Sequence, residues 1–154
     1  MPAYQYVESG LDNVLIEGAT FMVSDDAGES CIDIPNVNGL HHAIAEAIVN
    51  KRTSITGKEL RFLRTEMAMT QSELAAVVHR EPLAISRWER GEVEIDRNAE
   101  ALIRLYAVEE LGLEDAPGVG EVAAWCVPNG SDPTIIIDGS DPDNYRSKPL
   151  ANAA

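Results

Sequence analysis

The sequence predicts an α+β protein: a small N-terminal antiparallel β-meander, then a bundle of five helices, then an irregular C-terminal tail with one short strand. Three observations carry this reading. Residues 3–36 hold short β-prone runs separated by turn signals. Residues 38–108 hold apolar residues at helical spacing, with capping residues ahead of them. From Leu113 onward five of the eight prolines occur among Gly, Asp and Ser, which marks a change of regime. The expected segments are therefore a meander at 1–36, a connecting helix at 37–54, a helical domain at 55–112 and an acidic Pro/Gly-rich extension at 113–154.

Within the meander, Tyr4-Gln5-Tyr6-Val7 forms the first β-prone run, and Gly10-Leu11-Asp12-Asn13 supplies a turn. Val14-Leu15-Ile16 and Phe21-Met22-Val23 are apolar runs separated at Gly18, and Ser24 to Gly28 reads as a second turn. Ile32 and Ile34 alternate with Cys31 and Asp33 as a half-buried strand, which Pro35-Asn36 ends.

The first helix follows from Leu40, Ile44, Ala47 and Ile48, with Asn38 as its expected N-cap. Thr56 with Glu59 is a capping box, in which hydroxyl and carboxylate satisfy each other's orphan N–H groups, and it opens a helix to Met67. Thr70 with Glu73 is a second box, opening a short helix over Gln71 to Val78. Pro82 suits the first position of a helix that runs to Glu89 and is ended by Gly91. Asp96 caps a longer helix with the stripe Ala99, Leu102, Ile103 and Tyr106. In the tail, Gly130-Ser131-Asp132-Pro133 recurs as Gly139-Ser140-Asp141-Pro142. Two turns bracketing the strand Thr134 to Asp138 explain the doublet better than a repeat or a metal loop.

The chain of 154 residues carries 12 Lys+Arg against 26 Asp+Glu, a formal net charge of -14, which as an average speaks against nucleic acid. The average hides a partition. Residues 1–50 hold eight acids and no Lys or Arg, and residues 110–154 hold eight acids and two bases. Residues 51–109 are neutral, and within them 51–91 hold eight bases and five acids, a local +3. Salt screens charge over about 8 Å, so a basic surface can act while distant ends stay acidic. No apolar run reaches the roughly 18 residues of a membrane span, and no basic segment leads into an apolar core near Met1. No membrane contact and a cytoplasmic location are expected. Cys31 and Cys126 form no C-x-x-C pair and read as small buried hydrophobes rather than a disulfide. His41-His42 lacks a third ligand at useful spacing, so no metal and no cofactor are expected. Nucleophile elbows, phosphate loops and H-E-x-x-H are absent, so an enzyme is not expected.

The informative stretch is Thr70 to Gly91, TQSELAAVVHREPLAISRWERG. It reads as two short helices and a three-residue break, with Leu74, Ala75, Val78, Ile85 and Trp88 inside. This is the grammar of a helix-turn-helix, whose second helix enters the DNA major groove. Together with Leu60-Arg61-Phe62-Leu63-Arg64 ahead of it, the stretch strongly resembles the Xre/Cro-type helix-turn-helix family over about residues 56–108. The fuller chain also resembles the helix-turn-helix half of MqsA (YgiT-like) antitoxins, on Thr56 to Arg64, Gly39-Leu40-His41 and the Gly10 to Val14 hairpin. The paired C-x-x-C motifs of that family's zinc domain are missing here, so zinc binding is not implied.

The resemblance implies roles for particular residues. Gln71 and Ser72 open the first helix of the motif facing a phosphate, where a helix N-terminus attracts anions in any case. Glu81 takes the N-cap of the recognition helix. Pro82, Leu83, Ser86 and Arg87 fall where family members read base edges, and Arg90 falls where backbone phosphate is reached. Arg64 and Glu89 occupy positions that pair structurally. His79 stands in place of the usual turn glycine and Arg80 in place of an apolar residue. Pro82 and Leu83 cannot make bidentate hydrogen bonds to bases, so readout leans on Arg87 toward guanine, Leu83 toward a thymine methyl, and Arg80 with phosphate contacts. Trp88 reads as core, while Phe62 and Tyr106 read as core or as a dimer seam.

The function expected is that of a dimeric, sequence-specific transcriptional regulator, a repressor on a pseudo-palindromic operator in double-stranded DNA. The alternative is an antitoxin that neutralises a toxin protein and autoregulates its operon, since an acidic N-terminal segment suits a basic partner.

Overall fold

The computed structural model describes residues 4–18, 23–26, 29–32, 34–114, 116–126 and 134–148. Phe21, Met22, the Ala27-Gly28 turn and the first Gly-Ser-Asp-Pro tetrapeptide lie outside these residues. The fold is α+β, with a four-stranded sheet, a two-stranded hairpin and six helices among the described residues. In chain order the elements are β1 (Tyr4–Gln5), β2 (Val14–Glu17), β3 (Val23–Asp26), β4 (Glu29–Ile32), α1 (Val37–Val49), α2 (Gly57–Glu66), α3 (Gln71–Val78), α4 (Pro82–Glu89), α5 (Arg97–Leu111), α6 (Val119–Trp125), β5 (Ile135–Asp138) and β6 (Arg146–Ser147). No described helix is long and apolar enough to cross a membrane.

The expected meander is not the arrangement found. β3 and β4 pair with each other, with Ser24 to Asp26 in strand rather than turn. The main sheet has the order β1-β2-β5-β6, and β2 pairs with β5 in parallel, Val14 opposite Ile135 and Ile16 opposite Ile137. The tail therefore contributes two strands to the sheet that the N-terminus begins. Val14, Ile16, Ile135 and Ile137 turn inward and are buried, and α1 packs on β5 and β6. Asn36, not Asn38, caps α1: it adopts a left-handed conformation (φ 53°) and its side chain accepts from Gly39 N. The same side chain donates to Pro142 O at 2.8 Å, tying the helix start to the tail.

The sixth helix, α6, falls in the segment expected to be irregular, where Pro117, Gly118 and Gly120 mask an amphipathic stretch of about two turns. It packs on α5. The stripe expected on α5 is also shifted. Ala99, Ile103 and Ala107 are buried, but Leu102 is 42% exposed and Tyr106 is half-buried. The inward face of α5 also carries two charges, Glu100 and Arg104, both fully buried.

Those charges hold the connection between α1 and α2. Arg104 Nη1 donates to Thr53 O at 3.2 Å and to Glu100 Oε2 at 3.1 Å, and Nη2 donates to Val49 O at 2.8 Å and to Lys51 O. Glu100 Oε2 also accepts from Ile55 N at 3.2 Å. Beside them Lys51 Nζ meets Glu59 Oε1 at 2.7 Å, itself part of the α2 capping box. The backbone carbonyls of a buried connection need partners, and one guanidinium supplies them to three residues.

Four helices end in the same way. In α2 the N–H of Ala68 bonds to Thr65 O and that of Met69 to Arg64 O, a Schellman motif with Ala68 at φ 56°. His79, Gly91 and Gly112 take the equivalent positive-φ place after α3, α4 and α5. Glycine adopts this conformation without a Cβ penalty, whereas alanine does not. Ala68→Gly is expected to raise stability by about 0.5–1 kcal/mol, the strain relieved minus the added chain entropy. Urea denaturation checks this, with an unchanged m-value and a higher midpoint expected.

Candidate nucleic-acid interface

Helices α3 and α4 are joined by residues 79–81 and pack against each other through Leu74, Ala75, Val78, Ile85 and Trp88, all buried. Each boundary has a local cause. Thr70 Oγ1 accepts from Glu73 N at 3.1 Å while Glu73 Oε1 accepts from Thr70 N at 3.0 Å, which starts α3. His79 ends it at φ 55°, with Arg80 N bonded back to Ala75 O at 2.9 Å. Pro82 then begins α4, where its missing N–H is no loss.

A guanidinium fixes the angle between these helices and α2. Arg64 Nε donates to Glu89 Oε2 at 2.6 Å, Nη2 to Glu89 Oε1 at 3.0 Å, and Nη1 to Met69 O at 2.9 Å. Gln71 Nε2 completes the carboxylate by donating to Glu89 Oε1 at 3.1 Å. One cluster thus joins α2, the entry to α3, the first residue of α3 and the last residue of α4. Gly57 brings the other end of α2 onto the end of α4: a Cβ there would lie 2.3 Å from Trp88 O.

The residues singled out in the sequence divide into three groups. Leu83, 54% exposed, and Arg87 stand one helical turn apart on α4. Arg87 has no ion-pair partner among the described residues. Pro82 and Glu81 are exposed beside them, and Ser86 is half-buried. The second group is tethered. Arg80 Nη2 lies 3.0 Å from Asp96 Oδ2, the carboxylate that also caps α5 at Ala99 N. Arg90 pairs with Glu92 at 2.5 Å and donates from Nε to Ser86 O at 3.2 Å. The third group lies at the start of α3. Ser72 is exposed, while the amide of Gln71 turns inward to Glu89. Glu81 sits at the N-cap of α4, yet its side chain makes no cap hydrogen bond.

Electrostatics at the start of α3 follow from the capping box. Hydrogen bonds from the Thr70 N–H and then its hydroxyl hold the Glu73 carboxyl below the ordinary carboxylate range. Elsewhere, burial pushes the free Cys126 thiol up to about 11, leaving it inert at neutral pH. His41 is engaged on both ring nitrogens, with Tyr6 Oη and Glu66 Oε1 each at 2.8 Å. Phe62 lies buried under that ring, so of the two aromatic residues considered for a dimer seam it belongs to the core. Among the described residues no group of three or more His, Cys, Asp or Glu is arranged to hold a metal ion.

Sequence reasoning missed Asp96 as the partner of Arg80, Gly57 as a contact glycine, and Lys58. Lys58 lines, with Asp12, Thr56, Arg90 and Gly91, a shallow cavity of about 230 Å³ at the α2–α4 contact. The signal for Gly57 was present, because a glycine one residue after an N-cap has no conformational role there. No protein-family model, no curated protein and no solved structure matches the chain.

Two outcomes follow from this geometry. Arg64→Ala leaves the Glu89 carboxylate, 4% exposed, without its main partner, and should cost about 2–4 kcal/mol of stability in urea denaturation. Replacing both residues, Arg64→Met with Glu89→Leu, should recover most of that loss. Glu73, with its folded-state pKa depressed, contributes stability that is present above the unfolded pKa and lost as pH falls through the folded one. Stability measured from about pH 5 to about pH 3 should therefore fall less steeply in Glu73→Gln than in the parent chain.

Proposed function

We propose that the protein is a sequence-specific DNA-binding regulator of the Xre/Cro helix-turn-helix type, acting as a dimer on a pseudo-palindromic operator. The observation that carries this reading is the exposed face of α4. Leu83 and Arg87 project from a short helix whose opposite face, Ile85 and Trp88, is buried and whose last residue is clamped by Arg64. Such a helix can lay its exposed face, with Leu83 and Arg87, along a major groove while the clamp fixes its approach. Arg87 is the base reader, with a guanidinium free to bond guanine O6 and N7. Leu83 offers an apolar contact to a thymine methyl, and the Gln71 and Ser72 N–H groups at the start of α3 meet a backbone phosphate. Readout is lean, because Pro82 and Leu83 offer no side-chain donors.

A second reading, an antitoxin that covers a basic toxin, is favoured by one feature, the absence of Lys and Arg from residues 1–50. Co-purification of the full chain with a small basic protein encoded beside it supports that reading, and recovery of the chain alone removes it.

The operator reading is tested on the DNA upstream of the coding sequence. Affinity should fall with salt along a negative log–log slope, since phosphate contacts release counterions. Arg87→Ala should cost about 1–3 kcal/mol of binding and relax selectivity. A flat salt dependence, or an Arg87→Ala chain that binds as tightly and as selectively as the parent, overturns it.

A further inference from the structure

Three exposed arginines stand on the helix-turn-helix, Arg80 in the turn, Arg87 on α4 and Arg90 at its end. The acids of the following loop treat them differently. Arg87 has no ion-pair partner among the described residues. Arg90 is tethered locally, to Ser86 O one turn back and to Glu92 just ahead. Arg80 is held from farther away. Its Nη2 lies 3.0 Å from Asp96 Oδ2, and the same oxygen caps α5 by accepting from Ala99 N at 3.1 Å. Both side chains stay in contact with water, 44% and 39% exposed. An ion pair in that setting contributes little and exchanges partners cheaply. The backbone beneath Arg80 is fixed, since its N–H is bonded to Ala75 O at 2.9 Å and His79 before it is set at φ 55°. What is free to change place is the guanidinium alone.

We infer that Asp96 is an internal substitute for a DNA phosphate, a carboxylate that holds Arg80 in the free protein and surrenders it to the backbone of the duplex. The inference concerns the regulation of the α4 surface and rests on the operator reading of that surface. A groove that receives α4 brings its phosphate-lined wall against the turn at 79–81, which leads directly into the helix. Phosphate and carboxylate offer a guanidinium the same geometry, two oxygens to a planar fork, so one replaces the other by a swing of a single side chain. Asp96 keeps a task when Arg80 leaves. Its bond from Ala99 N remains, so α5 retains its capped first turn and the exchange costs the fold only the exposed pair. The consequence is a brake on binding. Every duplex competes with Asp96 for Arg80, and affinity is lowered by the same factor for operator and for unrelated sequence, because phosphate carries no sequence information. Arg87, the base reader, meets DNA without such a competitor.

The two tasks of the carboxylate are separable, since asparagine and serine cap a helix about as well as aspartate but hold no guanidinium by charge. Fluorescence anisotropy of the full chain at low salt is read on two labelled duplexes of about 30 base pairs, long enough for two half-sites. One carries the DNA upstream of the coding sequence and the other a scrambled version of it. Asp96→Asn should tighten binding to both duplexes by about two- to fivefold, the range that an exposed ion pair spans. Asp96→Ser, a second uncharged cap, should do the same, and the Tm of each variant should stay within a few degrees of the parent. Glu94→Gln removes an equal charge from the same exposed loop and measures the effect of charge alone; its gain should be smaller. In an Arg80→Ala chain the gain from Asp96→Asn should shrink to that of Glu94→Gln. The proposal is overturned if both Asp96 variants bind no more tightly than Glu94→Gln, or if their gain persists in the Arg80→Ala chain. In either case, binding that still depends on Arg87 leaves the operator reading standing. Failure of the parent and of Asp96→Asn alike to bind either duplex removes the operator reading, and this inference with it.

Discussion

The Arg64 guanidinium is the constraint on which the candidate site depends. Helix α4 has eight residues and buries two large side chains, Ile85 and Trp88. Burying them contributes roughly 3–6 kcal/mol. Apolar contact is non-directional and by itself leaves the direction of so short a helix loosely specified. Arg64 removes that freedom by gripping the Glu89 carboxylate with two nitrogens and the Met69 carbonyl with a third, while Gln71 closes the cluster. A planar fork holding a carboxylate fixes direction as well as distance, which lysine in the same place would not do. The clamp grips Glu89 at the C-terminal end of α4 and orients the exposed face, with Leu83 and Arg87, without occupying it.

A second set of buried charges acts at the connection between α1 and α2. Arg104 bonds three successive parts of the 49–53 connection, and Lys51 with Glu59 anchors its end to the start of α2. Such ion pairs seldom add net stability against well-packed apolar residues, but breaking one partner away is costly. They also change the meaning of the charge count. Of the eight cations in residues 51–91, Lys51, Lys58, Arg64, Arg80 and Arg90 face acids. Arg52 lies over the Trp125 ring at 5.9 Å, and among the described residues Arg61 and Arg87 remain exposed without an acid opposite. The local +3 overstates the cationic surface. What is left is a sparse display suited to a few directed contacts rather than a broad electrostatic footing on DNA.

Legibility in the sequence followed the range of the interactions. The starts of α2, α3 and α5 were readable because Thr56 with Glu59, Thr70 with Glu73, and Asp96 act within one helical turn. The start of α1 was misplaced by two residues, since Asn36 caps from a left-handed conformation that no local pattern announces. The parallel pairing of β2 with β5 joins strands separated by six helices and more than a hundred residues, and alternation within Ile135 to Asp138 says nothing about its neighbour. Leu102 fitted the helical stripe but belongs to the uncovered face, because Glu100 and Arg104 took inward positions that periodicity assigns to apolar residues. In the candidate site the exposure of Leu83 and Arg87 followed from helical phase. The capture of Arg80 by Asp96 did not, as it depends on how the turn at 79–81 meets the start of α5.

The central claim is that the clamped helix α4 reads base edges from two protomers related by a two-fold axis. It is tested most directly by selecting binding sites for the full chain from a pool of random double-stranded DNA. The account predicts an enriched, two-fold symmetric motif whose half-site centres lie about 34 Å apart, with a guanine at the position lost when Arg87 is replaced. Recovery of unenriched sequence, or of a motif with no symmetry and no dependence on Arg87, would contradict it.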